Sequence, residues 1–189
     1  MQANQEIDWQ GHRGARGLVP EITIPAFLKE LEYPVKTLEL DVAVSNDQQI
    51  IISHEPWMSE HICTKPDGTA VTAEEAKLLK IYELTYDEIK GYDCGLRGNS
   101  RFPKQQPLAV HKPSLRDMVK AAEARARKLQ RPLPYYDIEI KSQPDYYGIF
   151  TPAPDQFVAL LLEELQTLQL LDRVTLQSFD PQVLEEINK

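Results

Sequence analysis

Cysteine is nearly absent from this 189-residue chain, where Cys63 and Cys94 are the only two. Two are too few for a disulfide scaffold, and without a C-x-x-C pair the spacing does not suit a structural zinc site. They read as buried or unpaired thiols or, if the protein is exported, as a single disulfide. Long apolar runs are also missing: no stretch approaches the roughly 18 residues that a membrane-spanning helix needs. The N-terminal MQANQEIDWQG lacks the basic and apolar regions of a signal peptide. An initial Met can equally replace a removed leader, so localisation stays open, with a periplasmic or secreted setting favoured over the cytoplasm. There is no Lys/Arg run, and the formal net charge is −8. That balance excludes broad affinity for a nucleic-acid backbone. It does not exclude a small phosphate ester, provided that a metal or a few local cations reverse the potential in the pocket.

What is present is ordinary for one soluble domain: 42% hydrophobic and 26% charged residues, with both signs mixed. Strand candidates lie at 7–12, 36–44, 50–53, 135–141 and 173–179, and helix candidates at 25–31, 73–80, 86–90, from 114, at 155–169 and from 180. Between Pro56 and Pro113 the pattern loosens into Pro, Gly, Asp and Asn, which reads as an insertion (56–113) within one domain (1–189). Strands alternating with helices imply an α/β fold with a largely parallel sheet, either a barrel or an open doubly wound sheet.

The ionisable residues fall at strand ends: His12, then Glu39 and Asp41, then His54, then Glu139 and Lys141. In parallel α/β folds the loops that build sites converge at the carboxyl ends of the strands. Two residues apart on a strand, Glu39 and Asp41 share a face, as do Glu139 and Lys141, while Leu38, Leu40, Ile138 and Ile140 take the other. Three carboxylates in one place repel unless a cation neutralises them, and hard oxygen ligands suit Mg²⁺ or Ca²⁺. An isolated E-x-D is more often the solvated face of an amphipathic strand, and a lone histidine more often structural, so the joint placement carries the reading. Two imidazoles near a metal can divide acid and base duties, and Arg13 and Lys141 can bind phosphate oxygens. The combination favours phosphoester chemistry.

Gly11–Gly17 (GHRGARG), Pro20-Glu21-Ile22-Thr23 with Ala26-Phe27, Glu39-Leu40-Asp41-Val42, Ser53-His54-Glu55, Lys112-Pro113-Ser114-Leu115, Ile138-Glu139-Ile140-Lys141 and Gln177-Ser178-Phe179-Asp180 together resemble the glycerophosphodiester phosphodiesterase family. The resemblance implies a TIM (β/α)₈ barrel with a subdomain inserted after the third strand. It also implies hydrolysis of glycerophosphodiesters to glycerol 3-phosphate and an alcohol. By the same resemblance His12 and His54 are acid and base, Glu39, Asp41 and Glu139 hold a divalent cation, and Arg13 and Lys141 contact phosphate.

Two residues depart from the family pattern: Ile22 stands where Asn is usual, which removes an amide able to fix the loop, and Glu55 stands where Asp commonly follows the histidine. Length departs as well. A complete barrel takes about 250 residues, and five barrel-type strands are counted before Lys189, so the barrel is expected to be incomplete at its C-terminal end. Two other readings compete. A glycosidase built on the carboxylates leaves both histidines and Lys141 idle. A metal- or phosphoester-binding module derived from the family would keep the site without turnover. The alcohol preference and the oligomeric state are not legible in the chain.

Overall fold

The computed structural model describes residues 7–189. β1 (Gln10–Gly11) leads through a glycine-rich loop to α1 (Ile24–Glu30), β2 (Thr37–Val44) and β3 (Ile50–Ile52). The Pro- and Gly-rich stretch holds α2 (Ala73–Ala76) and α3 (Tyr86–Ile89), each opened by a threonine capping box, Thr72 with Glu75 and Thr85 with Glu88. Then come α4 (Leu115–Lys128), β4 (Tyr135–Ile140), α5 (Pro154–Thr167), β5 (Val174–Gln177) and α6 (Pro181–Ile187). Ser114 caps α4 and Asp180 caps α6, and α1, α5 and α6 each carry Pro in the first turn, where a missing N–H loses no partner.

β1, β2, β4 and β5 pair in that order, and every pairing is parallel. The order advances in one direction without the reversal that defines a doubly wound sheet, so of the two α/β architectures the barrel type is the one present. β3 corrects the strand count. It pairs antiparallel with the end of β2, Val42 opposite Ile52 and Val44 opposite Ile50. Parallel strands need a crossover of a dozen or more residues, and the connection from Ser45 to Gln49 is far too short for one. Among the described residues the parallel, barrel-type strands therefore number four rather than five. β1 is also shorter than the 7–12 expected, for it pairs on one side only, Gln10 with Thr37 and Gly11 with Leu38.

On β2 the side chains of Leu38, Leu40, Val42 and Val44 enter one buried cluster, and on β4 those of Tyr136, Ile138 and Ile140 join them. Phe27 and Leu31 beside α1, Leu115, Met118 and Val119 of α4, and Phe157, Leu161 and Leu165 of α5 complete it. The helices thus cover one face of the sheet, and the alternating carboxylates must take the other.

A second core gathers Ala43 and Ile51 with Met58, Ile62, Val71, Ala76, Ile81, Ile89 and Tyr92. Cys63 and Cys94 are disulfide-bonded inside it. Of the alternatives open for the cysteines, the disulfide is the one formed. It closes a separation of 31 residues, so its removal by Cys63→Ser or by reduction is expected to lower stability by about 3–4 kcal/mol. Urea unfolding with and without dithiothreitol reads this, and an unshifted midpoint would mean that the second core holds without the bond.

Candidate active site

The carboxylate face of β2 and β4 is built by register. Asp41 lies opposite Glu139 and Glu39 opposite Asp137, so adjacent strands place their acids side by side. Glu39, Asp41 and Glu139 each offer a ligand atom within 4.8 Å of the others. Burial drives the Glu39 carboxyl up to about 7, with the Gly-loop amide of Arg13 opposing the shift and Asp41 adding to it. Asp41 is 1% exposed and its carboxyl is likewise raised by burial, against the pull of Lys141. Both Asp41 oxygens are buried, and no backbone N–H or hydroxyl reaches them, only the cations of Lys141 and Arg13. Clustered, desolvated, under-satisfied oxygens of this kind fit a hard divalent cation.

Cations already balance part of that charge. Lys141 Nζ lies 2.9 Å from Asp41 Oδ1 and 2.6 Å from Glu139 Oε1. Arg13 Nε is 3.3 Å from Asp41 Oδ2, its Nη1 pairs with Glu21 at 3.1 Å, and its backbone N–H donates to Glu39 Oε2 at 2.7 Å. Arg13 and Ile22 both sit in the left-handed region, at φ 59° and 60°. For a β-branched residue this conformation costs roughly 1–2 kcal/mol, offset by the burial of Ile22 in the main core at 2% exposure. The Ile22 N–H donates to Arg13 O at 3.2 Å, a backbone tie across the loop that does not depend on the side chain.

His12 and His54 approach from opposite sides. His12 lines a hollow of about 440 Å³ with Trp9, Gly11, Arg16 and Glu30. His54 lines one of about 430 Å³ with Glu55, Trp57, Glu139, Lys141 and Tyr146. Burial, then the charges of Arg16 and Arg13, lower His12 from its ordinary value of 6.5. His54 Nδ1 is 2.9 Å from Glu55 Oε1. Arg13, Glu39, Asp41, Glu139 and Lys141 are thus joined directly, His54 shares a hollow with Glu139 and Lys141, and His12 lines a separate one, where the charges of Arg13 and His54 still bear on it.

Others went unassigned. Glu21 partners Arg13, and Asn99 donates to its second oxygen at 3.3 Å. The Arg16 guanidinium stacks on Phe102 at 5.0 Å and pairs with no carboxylate among the described residues. Lys112 is buried with its ammonium donating to Ser53 Oγ at 2.9 Å. Single charged residues in loops carry no periodic signal, so none of these was legible beforehand.

Glu30, on α1, accepts the Gly11 N–H at 2.6 Å and explains that glycine, since a Cβ there would stand 2.5 Å from its Oε1. Burial, less the Gly11 bond and plus the charge of Glu39, raises its carboxyl from 4.5 to about 8. The fold thus favours the protonated acid, whose contribution is complete below about 4.5 and is lost as pH rises through about 8. Glu30→Gln should raise stability by about 1–4 kcal/mol above pH 8 and leave it nearly unchanged at pH 4. Paired denaturant titrations at the two pH values test the sign.

A family model described as the glycerophosphoryl diester phosphodiesterase family matches residues 12–189. A glycerophosphodiester phosphodiesterase of Caldanaerobacter subterraneus subsp. tengcongensis is 29% identical over 91 residues, 48% of this chain and 32% of that protein. Among solved structures, a protein from Silicibacter pomeroyi DSS-3 provisionally assigned as a glycerophosphoryl diester phosphodiesterase superposes with a TM-score of 0.81 at 28% identity, covering 97% of this chain and 61% of that one. An Oleispira antarctica phosphodiesterase in complex with the product sn-glycerol-3-phosphate has a TM-score of 0.69 at 19% identity, covering 96% and 61%. The chain thus spans about a third of the curated relative and about three fifths of these structures.

Proposed function

The chain belongs to the glycerophosphoryl diester phosphodiesterase family, and from that premise we propose metal-dependent hydrolysis of a glycerophosphodiester to glycerol 3-phosphate and a free alcohol. The observation that carries the reading is the carboxylate triad Glu39, Asp41 and Glu139, gathered within 4.8 Å, with His54 lining the same hollow as Glu139. Mg²⁺ or Ca²⁺ held by those three would supply the charge neutralisation that a phosphoryl group needs.

The chain's own residues do the rest. His12, held below 6.5 by burial and by Arg16 and Arg13, is neutral at pH 7 and takes the proton of the attacking water. The water oxygen bonds to phosphorus, the alcohol P–O bond breaks, and His54 returns a proton to the departing oxygen. Lys141, Arg13 and the unpaired Arg16 bear on the phosphate oxygens, Arg through its forked donors. We assign residues 56–113 as an inserted subdomain of a single catalytic domain, with its own core and disulfide.

The direct test is turnover of glycerophosphocholine and bis(p-nitrophenyl) phosphate with Mg²⁺ or Ca²⁺ and with EDTA. Hydrolysis should require the cation, and the acid limb of kcat/KM should lie below pH 6.5, the direction in which His12 is shifted. Tight cation binding with no hydrolysis would instead identify a binding module.

A further inference from the structure

The hydrolysis reading uses His54 but does not say what orients it. We propose that Glu55, backed by the buried ammonium of Lys112, is a positioning residue that holds His54 with Nδ1 protonated and Nε2 turned to the substrate. The inference rests on the function proposed above.

Glu55 Oε1 stands 2.9 Å from His54 Nδ1. An ionised carboxylate only accepts, so Nδ1 carries a proton, and Nε2 is the nitrogen left to hold the second proton, the one passed to the departing oxygen. His54 and Glu55 line the same hollow as Glu139 and Lys141. Two adjacent residues ordinarily point apart on an extended chain, and a second tie closes this turn: Ser53 Oγ donates to the Glu55 carbonyl at 2.5 Å. The Ser53 oxygen in turn accepts from Lys112 Nζ at 2.9 Å.

Lys112 is 2% exposed, and its ammonium has no carboxylate within ion-pair distance among the described residues. A buried, unpaired cation acts at range in a medium of low dielectric, and the first charge it meets is that of Glu55, ahead of Glu21 and Asp41. Burial alone would raise the Glu55 carboxyl, yet the His54 bond and the Lys112 charge hold it at about 2. Glu55 is therefore an anion, and an acceptor, at every pH at which the site works. Neither Glu55 nor Lys112 is needed as a metal ligand or phosphate contact, which leaves the support of His54 as the role their geometry fits.

The test is ¹⁵N NMR of the histidine rings combined with steady-state kinetics in Glu55→Gln, Glu55→Asp and Lys112→Met. When its ring is neutral, wild-type His54 should show the Nδ1–H tautomer. Glu55→Gln should mix the tautomers and lower kcat about 10–100-fold, with KM within about twofold, and Glu55→Asp should restore part of both signals. Lys112→Met should move the same two readouts in the same direction, with the dispersion of the spectrum reporting whether the variant folds. An unchanged His54 tautomer and unchanged kcat in folded Glu55→Gln overturn the inference. A wild type that hydrolyses no diester, while the tautomer still depends on Glu55, counts against the hydrolysis reading alone.

Discussion

Replacing either His12 or His54 by alanine is expected to lower kcat by about 10²–10⁴-fold, the range typical of a lost general acid or base. The two imidazoles line different hollows, one on the Arg16 side and one on the Trp57 side, so neither can take over the other's duty. Because they act in one reaction cycle, the double variant should lose much less than the product of the single losses. Neither ring belongs to a hydrophobic core, so both variants should unfold at nearly the wild-type midpoint. Stopped or continuous assays beside a melting curve separate chemistry from folding. Full turnover in either folded single variant would remove that histidine from the mechanism.

Asp41→Asn should produce the second large effect, a loss of cation affinity of at least about 100-fold and with it nearly all turnover. Asp41 is the most buried of the three acids and lies opposite Glu139 in the ladder, with its oxygens met only by the cations of Lys141 and Arg13. An amide keeps the shape but removes the charge that a divalent cation requires. Stability without metal should change little, because the ionised carboxyl is itself held against burial and Lys141 keeps Glu139 at 2.6 Å. Calorimetric titration of Mg²⁺ and Ca²⁺ decides it, and an affinity equal to wild type would mean that the cation binds elsewhere.

Much of this site was legible because strand periodicity is local. The alternation of Leu38, Glu39, Leu40 and Asp41, and of Ile138, Glu139, Ile140 and Lys141, tells on its own that acids and core residues part to opposite faces. Steric rules of the pleat enforce that whatever the strand packs on. Helix starts at Ser114 and Asp180 were equally local, since a cap hydrogen bond spans only two or three residues.

Contacts between distant segments were a different matter. That Asp41 meets Glu139 rather than a neighbour two residues along depends on the β2–β4 register, nearly a hundred residues of chain apart. The pairing of Cys63 with Cys94, and the Lys112 ammonium beneath Ser53, depend on how the second core closes on β3. The antiparallel direction of β3 is, by contrast, local, for the turn before it is too short for a crossover. By itself, then, the sequence determined which face of its strand each candidate residue presents, because that follows from bond geometry within a few residues. Only the tertiary structure decided which charges meet and how far burial drives them, as with Glu30 at about 8 and Glu55 at about 2. Desolvation and register are properties of the packed whole.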